Sequence, residues 1–329
     1  MNLLNRFFKS CLKENASISS VCIKTIAEDI DRKLVNDYYH FLPHAFKIAV
    51  DSIHKYITEK GFEHPTFSWI QTQLLNISFQ HLCFRYGTQV YSVLIAISGI
   101  IGEDEDNDCA ILRKQDYDNL ISESNKFNLI PCIFPIDLKK KSAQIGGIHL
   151  LHAIDNTAIS MDKNDMSELV PMSKWEINNM GIDIVAQHLS GKGFKIFSYC
   201  DVVDIEPQLW FYDNSGRRCF VYVNSISGNY PESAKYRLNI NSLKRFKTEY
   251  NESVGYYAKL SFFPADAVAY DKEGAVVPLS KRDNLSNPVE ILYRGKGFYV
   301  NFSGLQELQQ AIKDDDSLIT FEADYYNVR

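Results

Sequence analysis

Residues 183–224 read DIVAQHLSGKGFKIFSYCDVVDIEPQLWFYDNSGRRCFVYVN, and their order of patterns decides the fold. The stretch opens inside a helix. Ser173 caps it, with Glu176 three positions on as the capping-box partner. Trp175, Ile177, Met180, Ile184, Val185 and Leu189 follow at helical spacing, and Gly191-Lys192-Gly193 ends the run. FKIFSYC (194–200) then reads as a strand. QLWFYD (208–213) and RCFVYVN (218–224), joined by Asn214-Ser215-Gly216, read as a hairpin.

The flanks extend this pattern. A helix is expected near 233–249, strands at 256–266 and 297–302, and a last helix from Leu305 to Ile312. Upstream, residues 18–58 have helical spacing, with Pro43 expected to separate two helices, and 65–76 suggest a short helix. Residues 77–97 read as a hairpin around Tyr86-Gly87-Thr88, 110–127 as a helix and 129–136 as a strand. Pro131 and Pro135 mark that strand as an edge or an irregular end. IHLLHAI (148–154) suggests another strand. The expectation is an α/β (α+β) chain of two α/β domains, 1–165 and 166–329.

Composition bounds the function. At 329 residues and 45% hydrophobic, the chain can build one large core or two average ones. The 19 Tyr and 20 Phe favour strand-rich packing. A formal net charge of −6, spread evenly over the halves, gives no global attraction to nucleic acid or to anionic membrane. Cys83, Cys132, Cys200 and Cys219 sit in apolar runs, and none of the seven cysteines forms a CxxC pair. That reads as small buried hydrophobes in a reducing compartment. The first residues lack a long apolar leader segment, and no stretch reaches the roughly 18 apolar residues of a membrane span. A cytoplasmic protein without a membrane partner is expected.

The segment 173–250 resembles the PD-(D/E)XK, or restriction-endonuclease-like, superfamily in element order and in its hairpin. The resemblance implies a core of a helix, three mixed strands, a further helix and a further strand. It also implies a Pro-Asp pair at the start of the second strand and a Glu-x-Lys on the third. There the carboxylates would hold Mg²⁺, and metal and lysine would activate water. Transferred to this chain, Pro207-Gln208 stands for Pro-Asp and Tyr222-Val223-Asn224 for Glu-x-Lys. A neutral amide, a phenol and a second amide replace two acids and a lysine, so catalytic residues and metal are both expected to be absent. Glu176, Asp201, Asp204 and Glu206 are the acids from which a relocated Mg²⁺ site could be built.

A basic cluster, Arg217, Arg218, Lys235, Arg237, Lys244, Arg245 and Lys247, faces a single acid, Glu232, between 214 and 248. With Arg294 and Lys296 of the Arg294-Gly295-Lys296-Gly297 run, it is the candidate nucleic-acid surface. Tyr230, Tyr236 and Tyr250 are available for stacking, whereas Trp175 and Trp210 read as core aromatics. Histidine spacing marks no zinc site: Pro43 is expected to interrupt the helix that would align His40 with His44. The leading functional reading is a non-catalytic interaction or regulatory module with a protein or nucleic-acid partner and no cofactor. The alternatives are a Mg²⁺-dependent nuclease with relocated acids, and an unrelated α+β binding protein with a site between the halves.

Overall fold

The fold was read from a computed structural model. It describes residues 22–27, 32–59, 67–73, 82–99, 109–138, 142–143, 150–159, 169–203, 205–227, 248–250, 252–265, 268–270, 276–278 and 291–308. The chain is a mixed α and β protein. By their internal contacts its residues divide into two compact units: 1–65, 77–84 and 90–163, and 66–76, 85–89 and 164–329.

In the first unit, strand β1 (Ile23–Ile26) precedes helix α1 (Arg32–Glu59). Residues 23–26 were expected to be helical. Their β-branched run instead pairs in parallel with β5 (Ala110–Arg113), in the register Ile23↔Ala110 to Ile26↔Arg113. The Cys22–Cys109 disulfide ties the two strands one step earlier. A non-local pairing thus overrides a local helical period. The same pairing takes 110–113 out of the helix expected from 110, and α2 starts at Lys114 and runs to Phe127. Helix α1 is continuous through Pro43, against expectation. Tyr38, Leu42, Ala45, Ala49 and Ile53 hold one buried stripe with no change of phase across the proline. Pro43 itself faces solvent, so packing on both sides offsets the roughly 3 kcal/mol of an interior proline.

Strand β4 (Gln89–Ser98) is central. It neighbours β3 (Leu82–Tyr86) through the Gly87-Thr88 turn, where Gly87 has φ 62, and it pairs with β5 near Ile97. Its parallel partner is β6 (Ile130–Asp137), which also pairs with β7 (Ser142–Ala143) and β8 (Leu151–His152). The prolines therefore do not mark a bare edge. The Pro131 carbonyl accepts from Ala153 N, so Pro131 and, by strand parity, Pro135 turn their main-chain polar groups away from β4. The missing donors lie on the sparsely paired side.

The second unit includes β2 (Phe67–Trp69), a strand where a short helix was expected, and helix α3 (Lys174–Gly191). α3 carries the full capping box of Ser173 and Glu176. Strands β9 (Lys195–Tyr199), β10 (Leu209–Tyr212), β11 (Arg218–Ser227) and β12 (Val254–Pro264) follow, then β13 (Val268–Tyr270) paired with β14 (Val276–Pro278), and β15 (Phe298–Glu307). The sheet order is β15-β12-β11-β10-β9. Only β11 and β12 run parallel. Residues 305–307, expected to be helical, continue β15. A register shift between Ala258 and Leu260 and a left-handed Gly304 (φ 95) absorb the extra residue. Of the helix expected at 233–249, only Thr248-Glu249 lies among the described residues, and both are helical.

One face of this sheet packs on α3. Ile182, Val185 and Leu189 meet Leu209, Phe211, Val221, Val223, Ala258, Leu260 and Phe262. α3 approaches β11 so closely that a Cβ on Gly181 would stand 1.8 Å from Ser225 Oγ.

Candidate functional site

Strand parity sets out the hairpin positions. Leu209, Val221 and Val223 enter the core under α3, so Trp210, Phe220, Tyr222 and Asn224 belong to the opposite face. Gln208, one step before β10, shares that side. The three positions that the nuclease resemblance singles out are therefore neighbours, and each has another task. Gln208 is buried, and its Oε1 accepts from Val223 N at 2.8 Å. The peptide bond before Pro207 is cis, and the amide oxygen takes a ladder donor just where the regular β10 strand stops. Tyr222 stacks on Tyr257 at 5.8 Å, and Asn224 Nδ2 donates to Tyr257 Oη at 3.1 Å. These groups supply neutral oxygens and no ammonium, a poor fit to Mg²⁺.

Two of the alternative acids, Glu176 and Asp201, are committed as well. Glu176 is buried at the first turn of α3. Its carboxylate accepts from Ser173 N and from Arg294 Nε and Nη2, the last at 2.8 Å, and Arg85 of the same unit reaches Oε1 at 3.3 Å. Arg294 is 0% exposed, so it is an interior ion-pair partner and not a nucleic-acid contact, correcting that expectation. Asp201 is also 0% exposed. Its Oδ1 accepts from Gln73 N at 2.6 Å, and its Oδ2 from Trp175 Nε1 and Asn179 Nδ2, each at 2.9 Å. Glu206 is half-buried, and Asp204 lies outside the described residues.

Sequence reasoning missed the rest of this polar cluster. Tyr199 Oη donates to Asp183 Oδ1 at 3.1 Å and accepts from Asn179 Nδ2 at 3.0 Å. Burial pushes the Asp183 carboxyl up; the Tyr199 hydrogen bond opposes this and the Asp201 charge adds to it. Burial, then the Asp183 and Asp201 charges, push the Tyr199 phenol up. The i, i+4 spacing of Asn179 and Asp183 on one side of α3 was the available signal. A donor network with Trp175, Asn179 and Tyr199 can hold a carboxylate in place.

The basic cluster divides. Arg217 is exposed and turned back on Asp213, with Nε to Oδ2 at 2.8 Å. The Ser215 hydroxyl first, and Arg217 with it, hold the Asp213 carboxyl well below the usual range. Arg218 instead lies 4.5 Å from the centre of the Trp210 ring and 5.9 Å from that of Phe197. Trp210 is only half-buried and belongs to a surface group of rings, which corrects its reading as a core aromatic; Trp175 is fully buried as expected. Lys296 is exposed in the turn before β15. Lys235, Arg237, Lys244, Arg245 and Lys247, with Tyr230 and Tyr236, lie outside the described residues.

His40 and His44 fall on one uninterrupted helix and are exposed. Among the described residues no group of three or more His, Cys, Asp or Glu side chains could hold a metal ion. Cys83, Cys132 and Cys219 are buried free thiols and Cys200 is half-buried. The Cys22–Cys109 disulfide does not fit the reducing compartment expected from the cysteines. No helix among the described residues is long and apolar enough to cross a membrane.

Residues 175–308 match the family model of a domain of unknown function (DUF8840), which spans α3 through β15. No curated protein and no solved structure matches the chain.

Proposed function

We propose that residues 166–329 form a non-catalytic interaction or regulatory module on a nuclease-like core. The order helix, three antiparallel strands, connection, then a strand parallel to the third supports the nuclease-like reading. The observation that carries the lack of catalysis is Gln208, whose side-chain oxygen is spent on Val223 N in a buried place. Asp201 and Glu176, the nearest substitutes, have their carboxylate oxygens occupied by interior donors. Drawing either onto a metal would strand buried partners, at a cost of about 1–3 kcal/mol for each orphaned group.

The test is cleavage of supercoiled plasmid, single-stranded DNA and RNA by the full chain with Mg²⁺ or Mn²⁺. No cleavage is expected. Metal-dependent cutting that disappears in Asp201→Ala or Glu206→Ala would overturn the proposal in favour of a nuclease with relocated acids.

A further inference from the structure

On the sheet face turned away from α3, one corner is built unlike the rest. Phe197 and Tyr212 are each 41% exposed, and their rings lie 4.6 Å apart. Trp210 lies beside them, 6.3 Å from Phe197, with Tyr250 edge-on to it at 4.8 Å. Arg218 lies over Trp210 with its charge exposed. In the strand register Tyr212 is opposite both Lys195 and Arg218, so a cation stands on each side of the tyrosine. The nearby acid, Asp213, is already neutralised by Arg217.

Leaving two large rings this open costs hydrophobic burial that the neighbouring core positions obtain. A register shift between Trp210 and Phe211 inserts Phe197 as an extra residue in β9 and turns it to the same side. The result is a pair of open rings beside Trp210, bordered by two cations that form no salt bridge with an acid among the described residues, on a chain whose net charge is negative. Bases stack on such faces whatever their identity, and the bordering cations meet the phosphates.

We propose that Phe197, Trp210 and Tyr212, flanked by Lys195 and Arg218, form a stacking platform for single-stranded nucleic acid. This rests on the interaction-module reading and names its partner. Duplex is disfavoured because its bases show no open faces.

The experiment is titration of the full chain with a short oligothymidylate, an oligouridylate and a duplex of the same length at low salt. It is read by tryptophan quenching and by anisotropy of the labelled strand. Both single strands are expected to bind, the duplex more weakly, and affinity is expected to fall as salt rises. Phe197→Ala and Tyr212→Ala should each weaken binding about tenfold. Tyr212→Phe should retain it, and Arg218→Ala should weaken it and reduce the salt slope by about 0.7. Circular dichroism of each variant separates loss of binding from loss of fold. Absence of binding at low salt, equal affinity for duplex, or unchanged affinity in the folded Phe197→Ala and Tyr212→Ala chains would overturn the platform. So would concentration-dependent self-association that Phe197→Ala abolishes, since the patch would then be covered by a second copy. A chain that binds the strand and also cuts it with Mg²⁺ supports the platform and overturns the non-catalytic reading. One that neither binds nor cuts does the reverse.

Discussion

Asp183 shows how the interior of the second unit treats charge. Its carboxyl is half-buried, near the Asp201 carboxylate and bonded to Tyr199 Oη, with burial the largest influence on its titration. The folded chain therefore holds the Asp183 proton more tightly than the unfolded chain. Asp183 contributes stability below its unfolded pKa of roughly 4, and this is lost as pH rises through the higher folded value. Asp183→Asn keeps an oxygen acceptor for Tyr199 and removes the titration. The variant is expected to match or exceed the wild type in urea midpoint at neutral pH and to lose that advantage near pH 4. A variant less stable than wild type at neutral pH, with a gap unchanged by acid, would contradict this account. Gln208 and Asp201 carry the complementary lesson. A residue type in a sequence motif does not say whether its oxygens are free, because the backbone donors that occupy them come from residues such as Val223 and Gln73, distant in the chain.

Helix α3 and strand β11 are held so closely that a Cβ at position 181 would crowd Ser225. An added methyl would meet Ser225 Oγ at 1.8 Å and Ser225 Cβ at 3.0 Å. Gly181→Ala should therefore destabilise the chain despite the better helix propensity of alanine, by about 1–3 kcal/mol through overpacking. Chemical denaturation of Gly181→Ala, Ser225→Gly and the double variant measures this. The double variant should recover most of the loss, and failure to recover would place the strain elsewhere. The capping box, the helix stop and the Gly216 hairpin of this region were legible in the sequence because each rests on residues within a few positions of one another. The strand at 305–307 was not legible, since its pairing with β12 joins residues about 50 positions apart.

Across the chain as a whole, the Cys22–Cys109 bond closes a separation of 87 residues and anchors β1, which exposes its two middle residues and buries only Ile26. Disulfides typically stabilise by about 2–4 kcal/mol, more for longer loops, chiefly by restricting the unfolded chain. Reduction, or Cys22→Ser, is expected to lower the thermal midpoint and to raise amide exchange first at Ala110–Leu112, beside β1. Exchange at the β11–β12 pair of the other unit should change less. Uniform loss of protection in both units would show that they unfold together.

Local chemistry was sufficient for α3, for both hairpins and for the mixed α and β class, because caps, glycine turns and side-chain periods act between near neighbours. Long-range pairing decided the rest: β1 is a strand because β5 is beside it, α1 runs through Pro43 because both of its halves pack on one stripe, and Arg294 is interior because Glu176 is there. The open ring of Phe197 belongs with these, since a register shift in the sheet, and not its hydrophobicity, turns it outward.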